Sequence, residues 1–188
     1  MKSLFKTSGL LMVMASVFFL ASCGAGNPMG SKVKEPFSGS KYESNKRYFR
    51  SVGKGQSKDD NIAKSKADLQ SKKELAQQVQ TKMKVVADQY FSDTETDNSS
   101  EINDKFQELA REVTNTDIAD LRKIGEEKYY NAEEDRYTVF IAYEIQKKQM
   151  LRFMKKKAKA DQKINNSMKK TIEEIIDEEI ERLEAEEE

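Results

Sequence analysis

Between Arg136 and Ile145 the sequence RYTVFIAYEI sets Tyr137, Val139, Ile141, Tyr143 and Ile145 against Thr138, Phe140, Ala142 and Glu144 in strict alternation. A period of two puts successive side chains on opposite faces of a strand, and the aromatic and β-branched content suits a pleated surface. A lone strand is not stable, so the rest of the chain has to supply its partners. Ile118 to Tyr130 provides the first, with Asn131 to Asp135 (NAEED) as the hairpin turn. Lys46 to Gly55 (KRYFRSVGKG) provides another through Tyr48, Phe49 and Val52, ending in a glycine turn. Gly53-Lys54-Gly55 lacks the spacing and the hydroxyl residue of a phosphate-binding loop.

Between these strands lie two helical patterns. Ser57, with Asp60 three residues on, resembles a capping box. After it Ile62, Leu69, Ala76, Met83 and Tyr90 recur every seven residues, with Val79 and Val86 between them, giving an apolar stripe that runs to Phe91. Past the polar stretch Asp93–Ser100, Ser100 is placed to cap a second helix, on which Ile102, Phe106, Leu109 and Val113 share a face. The fold class is therefore α+β. A small antiparallel sheet of about three strands, ordered β-α-α-β-β over residues 45–148, packs on a long helix.

The first 22 residues stand apart. Lys2 and Lys6 precede the uncharged, mostly apolar run Gly9–Leu20, which has secretory-leader length and is short for a membrane span. The run ends in Leu20-Ala21-Ser22-Cys23, followed by Gly24, which matches the lipobox of bacterial lipoprotein leaders at all four positions. Small side chains at Ala21 and Ser22 let the peptidase reach the bond. The Cys23 thiol is the nucleophile that takes up diacylglycerol, and an N-acyl chain (palmitate) follows on the freed amine. One acyl chain anchors marginally and two or three hold firmly. The resemblance to known sorting rules adds a destination: Gly24 to Asn27 carries no acid, which implies the outer membrane, periplasm-facing. Gly24 to Ser44, with both prolines, reads as a flexible tether of about 70 Å at full extension.

Composition narrows the chemistry. The chain has no His, no Trp and one Cys, so zinc, haem and iron–sulfur sites lose their usual ligands and imidazole-based nucleophilic catalysis is excluded. No metal or dissociable cofactor is expected, and nothing singles out a catalytic pair among 33 acids. Lys2 and Lys6 leave with the leader, so the mature chain has a slight excess of acid and no general attraction for nucleic acid.

Gln146 to Glu188 contains no Gly or Pro and reads as one long helix with segregated charge. Lys147–Lys170 holds ten bases and one acid, whereas Thr171–Glu188 holds ten acids and one base. Like charges at i,i+4 weaken such a helix alone, and acids at its end oppose its dipole. Met168, Ile172, Ile175, Ile176, Ile180 and Leu183 nevertheless form an apolar stripe, which makes them the candidate partner-binding residues. The tail reads either as a solvated appendage over 149–188 or as an interaction helix. In the second case it pairs with an oppositely charged segment, such as itself in an antiparallel coiled coil, or lays its basic half on anionic headgroups or peptidoglycan. On this division, removing 149–188 leaves the domain folded.

An aromatic strand ending in Val-Gly-x-Gly (YFRSVGKGQS), a helix with spaced Ala and Leu (IAKSKADLQSKKELAQQVQTKM) and a later aromatic strand (RYTVFIAYEI) together resemble the Lpp-twenty family of bacterial lipoproteins. The resemblance covers about residues 45–148. It implies a non-enzymatic, periplasm-facing lipoprotein with a small α+β domain in an envelope assembly. The charge-segregated tail departs from that family. The function expected is a structural or binding module of the envelope that contacts envelope proteins, with a regulator of a peptidoglycan synthase as the alternative. A two-carboxylate carbohydrate enzyme is the remaining catalytic class.

Overall fold

The computed structural model describes residues 33–94, 98–116 and 121–187. The chain divides into the units Met1–Lys34 and Glu35–Glu188, and every element described below belongs to the second. In chain order these are β1 (Tyr48–Ser57), α1 (Asp60–Asp93), α2 (Ser99–Thr116), β2 (Arg122–Asn131), β3 (Arg136–Gln146), α3 (Lys147–Ala160) and α4 (Asn166–Ala185). The α+β class and the β-α-α-β-β order stand as expected, followed by a helical C-terminal region that ends in the long helix α4.

β3 is the central strand, antiparallel to β1 on one side and β2 on the other. Its alternation is therefore buried on both faces from Val139 to Ala142. The NAEED turn closes the hairpin as read. Asn131 Oδ1 accepts from the backbone N–H of Glu133 and Glu134, an Asx arrangement that initiates the reversal.

β1 departs from the expectation at its glycines. The strand does not turn at Gly53 but continues to Ser57, pairing Gly53 with Ile141 and Gly55 with Val139. Both glycines face α1. A Cβ on Gly53 would lie 2.0 Å from Ala67 O and 2.6 Å from Ser71 N, and one on Gly55 would lie 2.0 Å from Ala63 O. The glycines thus serve close approach: helix and strand backbones touch across a seam of Gly53, Gly55, Ala63, Ala67 and Ser71. Within it Ser51 Oγ donates to Ser71 O at 2.7 Å, and Ser71 Oγ donates to Ser51 O at 3.2 Å, which satisfies both buried hydroxyls.

That seam also corrects the helix stripe. Val79, Met83 and Val86 are buried as read, but the first half of α1 turns Ala63 and Ala67 inward and leaves Ile62 and Leu69 51% and 69% exposed. The inward direction rotates along the helix because its first half faces the sheet and its second half faces the other helices. The cap is Asp59, whose Oδ1 accepts from Asn61 N and Ile62 N, while Ser57 Oγ accepts from Asp59 N, so the Ser57–Asp60 box does not form. On α2, Ile102, Phe106, Leu109 and Val113 all lie in the main core cluster, as expected. Ser100 falls inside that helix rather than at its cap.

The largest revision concerns the tail. It is two helices, broken at 161–165, with Asn165 Oδ1 capping α4 through Met168 N. The basic arm α3 and the acidic arm α4 run antiparallel and neutralise each other. Lys148 reaches Glu187 at 3.0 Å, Lys155 reaches Asp177 at 2.6 Å and Lys159 reaches Glu173 at 3.1 Å. The oppositely charged partner that the tail calls for is supplied by the same chain. The acidic end of α4 is met by cations as well: Lys46 Nζ donates to Glu186 O at 2.7 Å, and Arg47 faces Glu187 at 3.6 Å. These charges offset the unfavourable dipole term. A boundary at 149 therefore does not separate an appendage, since α3 and α4 fill the same core as α1 and α2.

Candidate interaction surface

The residues singled out for partner binding are withdrawn by the packing. Met168, Ile172, Ile175, Ile176 and Leu183 are buried in the main cluster and Ile180 is partly buried against it, so the stripe covers the domain's own core. Cys23 and the Leu20, Ala21 and Ser22 that precede it lie outside the described residues.

What the fold leaves available is the sheet face turned away from α1. Alternation assigns Tyr48, Arg50, Val52 and Lys54 of β1 to it, and register adds Phe140, Ala142 and Glu144 of β3 and Arg122, Gly125, Glu127 and Tyr129 of β2. At one end Glu144 is 8% exposed and held between two guanidinium groups. Arg50 Nε stands 2.9 Å from one carboxylate oxygen and Arg122 Nη2 stands 3.1 Å from the other. The Tyr48 ring lies 4.9 Å from the Arg50 guanidinium and 5.7 Å from that of Arg122. A buried carboxylate with two cations is compensated, so this cluster supports the strand register and leaves a rim of half-exposed Arg122 and partly buried Tyr48 and Arg50.

Towards the other end the face is apolar. Phe140 is buried, with Tyr129 edge-on at 6.1 Å and Lys54 Nζ 5.4 Å from its ring centroid. Across it runs the segment 35–42, here called the strap, which ends in the short 3-10 turn Ser40–Tyr42. Glu35 pairs with Lys54 at 2.6 Å, and the Phe37 ring packs over Gly125, where a Cβ would stand 2.5 Å from Phe37 Cε1. Phe37 also packs against the Tyr42 ring, tilted at 60° with centroids 4.9 Å apart. Residues 35–44 therefore belong to the domain rather than to a free tether, which corrects the boundary at 44.

The two sheet edges differ. The outward backbone of β1 is occupied by its own chain: Arg50 N donates to Ser44 Oγ at 2.8 Å, and Gln78 Nε2 donates to Arg50 O at 2.9 Å. β2 is exposed except at Ile124 and Gly125, and is blunted by the charges of Arg122, Lys123, Glu126, Glu127 and Lys128 and by a bulge between Lys123 and Gly125.

Elsewhere the polar clusters are structural. A cleft of about 180 Å³ between the end of α1 and α4 reaches Glu179, whose carboxylate is gripped by Arg182 at 2.6 and 2.8 Å and by Lys82 at 3.4 Å. At the flank of the α1–sheet interface, Tyr143 donates to Asp68 at 2.6 Å. Partial burial, together with that hydrogen bond to a carboxylate, pushes the Tyr143 phenol up to about 12. Burial works against ionisation of Asp68, yet its bonds from Lys72 and Tyr143 outweigh burial and hold the carboxyl below its usual range. Among the described residues no three His, Cys, Asp or Glu side chains converge as a metal site, and no helix is long and apolar enough to cross a membrane.

Sequence reasoning missed Phe37, Gly125 and the Arg50–Glu144–Arg122 cluster, whose partners are brought together by sheet register. Compared with family models, curated proteins and solved structures, the chain matches none.

Proposed function

We propose that this chain is a lipid-anchored lipoprotein of the bacterial outer membrane, periplasm-facing and non-enzymatic, whose α+β domain is a structural or binding module of the envelope. The observation that carries the reading is Leu20-Ala21-Ser22-Cys23 at the end of a short apolar run. The anchor is covalent diacylglycerol and an N-acyl chain on Cys23, and the partners are the membrane and envelope proteins. The likeness to Lpp-twenty lipoproteins in the aromatic strands and the spaced helix supports the same class.

The strap sharpens the reading. With Glu35 held against Lys54, the run between anchor and domain is residues 24–34, which at full extension spans about 40 Å. A reach that short favours contacts at or near the anchoring membrane over action across the periplasm, so the scaffold reading stands ahead of a synthase regulator. The binding surface is the outer sheet face with its cationic–aromatic rim.

Metabolic labelling with a fatty-acid analogue tests the anchor: wild type takes up label and Cys23→Ala does not. Unlabelled mature wild type would overturn the reading. Photo-crosslinking residues placed at Gln56 or Tyr129 should yield adducts in intact cells, and one at Leu69 on the opposite side should not. Equal yields would remove the outer face from this role.

A further inference from the structure

Three unusual features meet at one place on the outer face. β2 carries its bulge between Lys123 and Gly125, and Gly125 supplies the space that the Phe37 ring fills. Phe37 itself has φ 57, in the left-handed region that a bulky L-residue rarely adopts. Backbone strain of this kind persists only where surrounding contacts enforce it, and it concentrates at clamps and switches. Within residues 35–42 the contacts that enforce it are few, and the polar anchors lie just beyond, where Arg50 Nη1 donates to Glu43 O at 3.2 Å and Ser44 Oγ donates to Gln78 Oε1 at 2.6 Å. Glu35 and Lys54 are both about half exposed, so their ion pair is solvent-screened, and Phe37 is only partly buried. The strap joins β1 through the tight Asn45 turn, where Asn45 Oδ1 accepts from Arg47 N and Tyr48 N.

A strained, lightly held segment on a short hinge is the circumstance in which identical elements change places between copies of a chain. We propose that the Phe37 seat is an exchange site: the strap of one copy docks on the outer sheet face of a second copy, in the position it takes on its own. The second copy is the occupant because it carries the complement the seat requires. An acid reaches Lys54, and two residues later an aromatic ring covers Gly125. The same two contacts form in either arrangement, and the strap would swing on residues 43–47, which join it to β1. The inference rests on the outer face being the binding surface, but not on acylation.

Two measurements on the full mature chain carrying Cys23→Ser test it. A fluorescent peptide of sequence Val33–Glu43 should bind the Phe37→Ala variant at least ten-fold more tightly than wild type, whose own strap competes. Gly125→Val added to Phe37→Ala should abolish that binding, with circular dichroism confirming that the variant is folded. In a mixture of differently tagged Glu35→Cys and Lys54→Cys copies, a short bismaleimide should yield heterodimers, reduced at least five-fold by Phe37→Ala. Peptide binding that ignores Gly125→Val overturns the seat. Peptide binding without heterodimers overturns the exchange, and so does the absence of both. Loss of fatty-acid labelling in cells would leave these results untouched and would count only against the anchor.

Discussion

Replacing Gly53 with Ala adds one methyl group at the point of closest approach between β1 and α1. The new carbon would start 2.0 Å from Ala67 O and 2.6 Å from Ser71 N, whereas such atoms rest at roughly 3.5 Å. Both obstacles are main chain, so no rotamer change relieves them and the seam itself has to open. Overpacking of this kind costs about 1–3 kcal/mol. Opening the seam also stretches the reciprocal Ser51–Ser71 bonds in a dry environment, where each poorly satisfied group costs about 1–3 kcal/mol. Counting one such group, the sum is about 2–6 kcal/mol. For a unit of this size, at about 3 °C per kcal/mol, it appears as a fall of about 6–18 °C in the midpoint of thermal unfolding followed by circular dichroism. Gly125→Ala is the control: its methyl meets only the edge of the Phe37 ring, which can tilt, so the expected loss is about 0.5 kcal/mol. Ala67→Gly should not rescue Gly53→Ala, since the colliding atom is a carbonyl oxygen. A Gly53→Ala midpoint within 2 °C of wild type, or rescue by Ala67→Gly, would refute the close-approach argument.

Three further outcomes are expected. Deleting residues 149–188 removes ten of the 22 buried residues of the main core cluster, so the remainder should lose its cooperative thermal transition, contrary to the sequence-based expectation; a retained sharp transition would restore the appendage. Glu179→Ala leaves Lys82 and Arg182 without their shared carboxylate. Both cations retain access to water, so the loss in urea unfolding should be about 1–2 kcal/mol, below the cost at a fully buried pair. The Tyr143 phenol is raised from 10.0 to about 12 in the folded state, so its contribution to stability is complete below pH 10 and fades as pH rises towards 12. Phenolate absorbance should show a late-titrating tyrosine that disappears in Tyr143→Phe.

How much of this was legible depended on side-chain size. Where the core is built from large residues, as at Val79, Met83, Phe106 and Val139, periodicity located it, because hydrophobic area is what such patterns register. Where it is built from small ones the pattern pointed the wrong way. Ala63, Ala67 and Ser71 at i, i+4 and i+8 carry little apolar signal beside Ile62 and Leu69, yet they hold the buried face, and their complement is the pair of glycines taken for a turn. Small residues at that spacing opposite a Gly-x-Gly in a strand were the available cue. The helical hairpin was half legible: the opposite charges of its arms were plain, but the break at 161–165 contains neither Gly nor Pro and is marked only by the capping Asn165. Phe37 offered no pattern of its own, since its partner Gly125 lies 88 positions further along the chain.

The bonds from Lys46 to the Glu186 carbonyl and from Arg47 to Glu187 bring the last turn of the last helix against the residues that open the first strand. The elements from β1 to α4 therefore nearly close on themselves, with the strap lying outside that circuit. A linker of a few residues could join Glu187 to Lys46, and new ends could be cut in the exposed NAEED turn, which would keep every helix and strand while leaving the strap out. A reporter fused at the C-terminal end of the chain would be carried next to the start of β1, and would sample the surroundings of that edge of the sheet.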